Sequence, residues 1–545
     1  MPQTLAGRLS LLSGTDELTL LLRGGRGIER EALRVDVQGE LALTPHPAAL
    51  GSALTHPTIT TDYAEALLEL ITRPATDCAQ ALAELEELHR FVHSRLEGEY
   101  LWNLSMPGRL PVDEQIPIAW YGPSNPGMLR HVYRRGLALR YGKRMQCIAG
   151  IHYNYSLPPE LFAVLTKAEV GSPKLLERQS AAYMRQIRNL RQYGWLLAYL
   201  FGASPAICKS FLEVERDELA RMGGDTLYMP YATSLRMSDI GYRNRAMDDL
   251  SPSLNDLGAY IRDICHALHT PDAQYQALGV FAQGEWRQLN ANLLQLDSEY
   301  YALARPKSAP ERGERNLDAL ARRGVQYVEL RALDLDPFSP LGIGLTCAKF
   351  LDGFLLFCLL SEAPVDDRNA QRQDRENLSL AGKYGRQPGL KLHRNDQSIL
   401  LKDWAQEVLA EVQACVELLD SANGGSSHAL AWSAQEEKVL NPDCAPSAQV
   451  LAEIHRHSGS FTAFGRQLAI DHAKHFSASS LEAGVAKALD HQAASSLREQ
   501  HQLDANDRAP FSDYLQQFSQ AFGQSVGASH APNPTAHLID LTPPV

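Results

Sequence analysis

The chain has 545 residues, 44% hydrophobic and 21% charged, and its 52 Lys and Arg against 64 Asp and Glu leave a formal net charge of −12. That balance argues against the concentrated basic face that nucleic acid or an anionic membrane surface requires. The length fits either two domains or one large enzyme-like domain with accessory helices, and it suffices for a deep site that takes small ligands.

The densest apolar runs, WLLAYLF and FLDGFLLFCLL, fall short of a bilayer span. No basic segment followed by an apolar stretch opens the sequence. A cytoplasmic protein engaging neither membrane nor nucleic acid is expected. Cys78, Cys147, Cys208, Cys265, Cys347, Cys358, Cys415 and Cys444 form no CxxC or CxxH pattern, so they are expected to be reduced thiols in packing roles and not zinc ligands.

In chain order, the first unusual element is GIEREALRV, residues 27–35. On a strand Glu29 and Glu31 project from one face a few ångströms apart, which costs free energy unless something positive lies between them. TTDYAEALLELIT (60–72) reads as an amphipathic helical turn in which Asp62 and Glu69, seven apart, share a face, with Glu65 as a competing acid. DCAQALAELEELHRFVHSRL has helical apolar spacing. MQCIAGIHYNYSLP (145–158), read with period two, puts Gln146, Ile148, Gly150, His152 and Asn154 on one face and Cys147, Ala149, Ile151, Tyr153 and Tyr155 on the other.

A long helix is expected over 175–201, stopped by Gly202 and Pro205. Strand-like segments follow near 228–236, 286–296 and 325–333. In the last, VQYVELRAL, Glu329 and Arg331 share a face with Tyr327. Beyond it the chain reads as largely helical, including DWAQEVLAEVQACVELLDSANGG, whose Gly424 and Gly425 supply a stop. Residues 523–545, rich in Pro, Ala and small polar residues, are expected to be a disordered tail after a single large domain over 1–522. No GxGxxG or GxxxxGK[ST] loop is present. Strands separated by long helical insertions favour α+β architecture.

Three strands thus carry Glu29 with Glu31, His152 with Asn154, and Glu329 with Arg331 at i, i+2. Hard oxygen ligands with an occasional imidazole suit Mg²⁺, or Mn²⁺ in its place. A metal cluster is therefore the expected positive partner of the acids.

Six ordered segments, GIEREALRV, ALGSALTHPTITTDYAEALLELIT, MQCIAGIHYNYSLP, FGASPA, YATSLRMSDIGY and VQYVELRALDLDPF, together resemble the proteobacterial type of glutamate–cysteine ligase. The resemblance implies a glutamine-synthetase-like fold: a curved antiparallel sheet forming a funnel-shaped active site, surrounding helices and a helical C-terminal part. It implies ATP-dependent joining of the L-glutamate γ-carboxylate to the L-cysteine α-amine through a γ-glutamyl phosphate, the first step of glutathione synthesis. Glutathione is the implied feedback inhibitor, and a monomer is expected.

Carried onto this chain, the resemblance implies metal ligation by Glu29, Glu31, Asp62, Glu69, His152 and Glu329, holding two or three Mg²⁺ ions. Tyr63, Tyr133, Arg134, Tyr242 and Tyr301 match the cysteine pocket, with a one-residue ambiguity between Tyr300 and Tyr301. Gln146 and Asn154 match substrate-lining positions. Arg236 and Arg331 are the implied catalytic cations, and Arg305 with Lys307 of ARPK add charge against the ATP phosphates. An unpaired arginine fork suits phosphate, and Arg331 is read that way rather than as a partner of Glu329.

Overall fold

The computed structural model describes residues 4–214, 216–241, 250–309, 311 and 314–526. Its main sheet contains β1 (Arg26–Asp36), β2 (Ile59–Thr61), β3 (Leu67–Ile71), β4 (Glu99–Leu101), β5 (Ile151–Tyr155), β6 (Ala304–Lys307) and β7 (Tyr327–Leu333). The strands run in the order β6–β7–β5–β1–β3–β2, with β4 on the far half of β1. Every pairing is antiparallel.

Period-two alternation sorts the side chains. Ile28, Ala32, Leu68, Leu70, Tyr153, Tyr155, Val328 and Leu330 are buried at or near zero exposure, and the interleaved residues are Glu29, Glu31, Glu69, His152, Asn154 and Glu329. One face is therefore apolar and covered, and the other is polar.

Helices cover the apolar face. α1 (Cys78–His93) starts where Asp77 accepts a hydrogen bond from the Ala79 N–H, and it packs on β1 and β3. α2 (Asn125–Tyr141) borders the polar side. α3 (Pro173–Phe201), capped by Ser172 and begun by Pro173, packs on β6 and β7. α4 (Leu345–Leu360) is apolar on nearly all sides and lies against both α3 and α5 (Leu401–Asn423). Its Asp352 pairs with Arg26 at 3.0 Å and accepts from the Tyr153 hydroxyl at 3.1 Å, tying the buried helix to β1 and β5. α5 ends at Gly424 in the left-handed region, as its sequence predicts. α6 (Phe461–Ser477) packs against α1. No helix among the described residues is long and apolar enough to cross a membrane.

Several expectations are overturned. Residues 60–72 form the β2–β3 hairpin and not a helical turn, because LLELI alternates buried leucines with Glu69 and so satisfies a sheet. In 145–158 only Ile151–Tyr155 is strand, and Met145–Cys147 is a 3₁₀ turn, so Gln146 does not share a strand face with His152. Near 228–236 the strand is Thr226–Tyr228, in a separate three-stranded sheet, and Leu235–Met237 is 3₁₀. Within 286–296 only Trp286 is in a strand, ending a two-residue pairing with Phe281–Ala282. The last helix, Phe511–Val526, continues beyond residue 522, and the expected tail past 526 lies outside the described residues.

Candidate active site

The antiparallel register sets the polar face. Glu29 stands opposite His152, Glu31 opposite Glu69, and Glu329 opposite both Asn154 and Arg305. Past Leu330 the β5–β7 register shifts, so that Leu333 pairs with Ile151. This irregularity lies where Arg331 leaves the ladder beside the acids.

All the residues to which the resemblance gives a role, apart from Asn154 and Tyr242, line one cavity of about 300 Å³. Asn154 instead donates from Nδ2 to Glu29 Oε1 at 2.8 Å, so it orients an acid of the wall. Tyr242 lies outside the described residues. Tyr301, and not Tyr300, is on the lining. Glu65 is elsewhere: its carboxylate accepts the backbone N–H groups of His46 and Trp120 at 2.8 and 2.7 Å.

Basic side chains already interleave with the acids. His152 Nδ1 is 2.9 Å from Glu29 Oε2, and its Nε2 is 3.5 Å from Glu31 Oε1. Lys307 Nζ and Arg331 Nη1 approach Glu329 Oε1 at 3.5 and 3.3 Å. Arg331 is therefore paired with Glu329, contrary to the unpaired fork read from the sequence, although its Nε has no hydrogen-bond partner among the described residues. Arg305 and Lys307 both line the cavity, and Arg305 donates to the carbonyl oxygens of Ser298 and Tyr300.

Acidity is divided within the cluster. Burial, the largest influence, works against ionisation of Glu329, but Lys307 and Arg331 outweigh it and hold the carboxyl well below its usual range. Burial is likewise opposed at Glu29, where the His152 hydrogen bond brings the net shift downward. At Glu69 burial and the charges of Glu29, Asp62 and Glu31 act together and push it well above the usual value. Burial also raises Glu31, opposed by His152.

The outer wall is a turn. Asp62 follows β2, and the Arg134 Nε of α2 donates to its carbonyl. The Arg134 guanidinium lies over the Tyr121 ring, 4.8 Å from its centre, while the Tyr121 hydroxyl donates to the carbonyls of Thr61 and Asp62 at 2.8 and 3.0 Å. Arg134 thus holds the turn as well as lining the cavity.

Residues 9–381 match the model of a family described as glutamate–cysteine ligase. The chain belongs to the glutamate–cysteine ligase family. The family's reaction is the ATP-dependent ligation of glutamate to cysteine, the first step of glutathione synthesis. The chain is 49% identical over 519 residues to a glutamate–cysteine ligase of Janthinobacterium sp. (strain Marseille), covering 95% of this chain and 98% of that one. It is 51% identical over 516 residues to that of Pseudomonas paraeruginosa, covering 94% and 98%. A crystal structure of the Francisella tularensis glutamate–cysteine ligase in complex with AMP matches with a TM-score of 0.85 and 36% identity, covering 92% of this chain and 98% of that one. A bifunctional glutathione synthetase from Pasteurella multocida matches at a TM-score of 0.66 and 26% identity, covering 85% of this chain and 54% of that longer one.

In this ligase-family chain two sets of donor atoms could each hold an ion: Glu29, His152 and Glu329, and Glu31, Glu69 and His152, with the atoms of each set within 4.8 Å of one another. Glu329 Oε2 is buried with no hydrogen-bond partner among the described residues. Such an orphaned oxygen fits a cation, and oxygen with imidazole fits Mg²⁺ or Mn²⁺.

Sequence reasoning missed Leu137, Met145, Ile148, Ser298 and Glu299, which also line the cavity. Glu299 is the notable one. Its side chain and that of Arg140 are fully buried 3.0 Å apart, and it accepts from the Tyr141 hydroxyl at 2.7 Å. Its place two residues before Tyr301 was visible, but the partner arginine on α2 was not.

Proposed function

We propose that this cavity joins the γ-carboxylate of glutamate to the α-amine of cysteine through a γ-glutamyl phosphate. The observation that carries the reading is the convergence of acids, imidazole, arginines and tyrosines from five strands, α2 and three loops on one cavity, in a chain of this family.

A carboxylate is a poor acyl donor because its leaving group is oxide. Transfer of the ATP γ-phosphoryl group to the glutamate oxygen converts that group to phosphate. The cysteine amine then attacks the acyl carbon, a tetrahedral oxyanion forms, phosphate departs and the amine proton is lost. Charge neutralisation dominates both steps.

Arg331 and Arg236 face the transferring phosphoryl group and the oxyanion, and Arg305 and Lys307 face the ATP phosphates. Tyr63, Tyr133, Arg134, Tyr242 and Tyr301 shape the cysteine pocket, Gln146 contacts substrate, and Asn154 acts by orienting Glu29. Glu29, Glu31, Asp62, Glu69, His152 and Glu329 are the ligands for two or three Mg²⁺ ions. When bound, these ions supply positive charge against the phosphates. The AMP bound by the Francisella enzyme supports a nucleotide site in this fold.

The reading includes a funnel-like enclosure of the cavity by the sheet, one catalytic domain, a monomer and a cytoplasmic setting. Glutathione is a competitor of glutamate, because its γ-glutamyl and cysteinyl parts use both subsites. ADP release measured with glutamate, with and without cysteine and with other small amines, tests the function. Dependence on cysteine supports it, and equal rates with unrelated amines overturn the cysteine assignment.

A further inference from the structure

Three of the segments that distinguish this sequence, FGASPA, YATSLRM and RALDLD, contribute no ligand triad, yet they meet at one carboxylate. Asp334 follows β7, and its side chain is 1% exposed. Its Oδ2 accepts the Ala203 N–H and the Ser204 hydroxyl, both at 2.8 Å. Its Oδ1 accepts the Ser234 hydroxyl at 3.0 Å and lies 3.5 Å from Arg236 Nη1. A buried charge with this many donors is satisfied, and it orders the three segments around it.

We infer that Asp334 is a positioning residue that sets the direction of the Arg236 guanidinium into the active-site cavity. Three further contacts complete the seat, the first from Nη1 to the Met237 sulfur at 3.3 Å. Arg236 Nη2 donates to the Arg331 carbonyl at 3.1 Å. The same end of the guanidinium packs against Gly150, where an added Cβ would come within 2.3 Å of Nη2 and 2.8 Å of Cζ. Gly150 also donates its N–H to Glu31 Oε2 at 2.7 Å, so the glycine that makes room for the arginine also aims an acid of the metal set. Asp334 holds Nη1, the Arg331 carbonyl holds Nη2 and Gly150 leaves room for the fork, so the guanidinium is fixed where Arg236 lines the cavity. The guanidinium is a rigid planar fork, so a tilt of its plane misplaces every donor together.

The inference rests on the proposed role of Arg236, and the experiment separates the two. Asp334→Asn, Arg236→Gln and the double variant are compared by kcat/KM for glutamate. Each single change is expected to lower it about 10- to 100-fold, as for residues that orient a functional group, and the double variant to be no worse than Arg236→Gln alone. Guanidinium added to Arg236→Ala should restore part of the rate, and should fail to do so when Asp334→Asn is also present. If Asp334→Asn does not fold, Ser234→Ala, which removes one donor from the same carboxylate oxygen, takes its place in the cycle. A crippled Arg236→Gln enzyme whose loss adds in full to that of the second change overturns this inference alone. A fully active Arg236→Gln enzyme overturns the role of Arg236 and this inference with it.

Discussion

Glu31 and Glu69 stand directly opposite each other on neighbouring strands, two acids on the polar face of one antiparallel pair. Like charges in that position are destabilising. Glu69 keeps its proton well above the ordinary carboxyl range because of its burial and its neighbours Glu29, Asp62 and Glu31.

A first prediction follows for the metal-free protein. An acid whose folded pKa is raised contributes stability that is complete below its unfolded value and is lost as pH rises above it. The melting temperature of the wild type relative to Glu69→Gln should therefore fall between pH 5 and pH 8. Added Mg²⁺ should restore it with net proton release, read by calorimetry in buffers of different ionisation heat. A wild-type-minus-variant difference that stays flat with pH contradicts the shift.

Glu329→Ala should lower kcat at saturating Mg²⁺ by about 100-fold or more, since even residues that only support metal ligands cost 10- to 100-fold. Stability should fall too. Lys307 and Arg331 lose the carboxylate they share, and an uncompensated buried charge is costly. Relief of repulsion among the acids, which the sequence alone suggests, is outweighed by these two cations. Normal turnover by the variant would remove Glu329 from the metal set.

Truncating Tyr301 to Ala should raise the KM for cysteine more than that for ATP, because Tyr301 lines the cavity together with Tyr133 and Arg134 of the proposed cysteine pocket. Steady-state titration of each substrate at saturating levels of the others decides this. Equal increases would make the ring a packing element.

Acid sensitivity should map to the back of the sheet. His89 of α1 is fully buried, stacks on Phe476 of α6 at 4.9 Å, and has no hydrogen-bond partner for either ring nitrogen among the described residues. Burial first, then Arg30, His93 and His472, hold it well below the usual histidine value. A histidine with a depressed folded pKa stays neutral while the unfolded chain takes up its proton below about pH 6.5, so stability drops as pH falls through that point. His89→Leu should melt above the wild type by a margin that widens from pH 7.5 to pH 5. A constant margin means that His89 does not carry the acid sensitivity.

The alternation in GIEREALRV and VQYVELRAL was legible because period two is a local property, and it placed Glu29, Glu31, Glu329 and Arg331 on one face. Glu69 was legible only as an acid. Its helical reading failed because a segment as short as LLELI fits both periods, and the pairing partner that decides between them lies on β1. Gln146 reached the cavity from a 3₁₀ turn and not from a strand, so its inclusion rested on resemblance and not on geometry. The i, i+2 spacing permits the pairing of Arg331 with Glu329 but the rotamers decide it, and the pairing of Glu299 with Arg140 joins distant chain segments, which no spacing encodes.

The strand order has a kinetic consequence. Both donor sets draw on β1 near the start of the chain, and one of them needs Glu329 on β7, which is joined to β1 through β5. Pairings between such distant segments close late, after the entropy of long loops has been overcome. During synthesis the Glu29–His152–Glu329 set cannot assemble until β7 has left the ribosome. An ion held there reports a completed sheet, so Mg²⁺ should slow unfolding while leaving early refolding rates nearly unchanged.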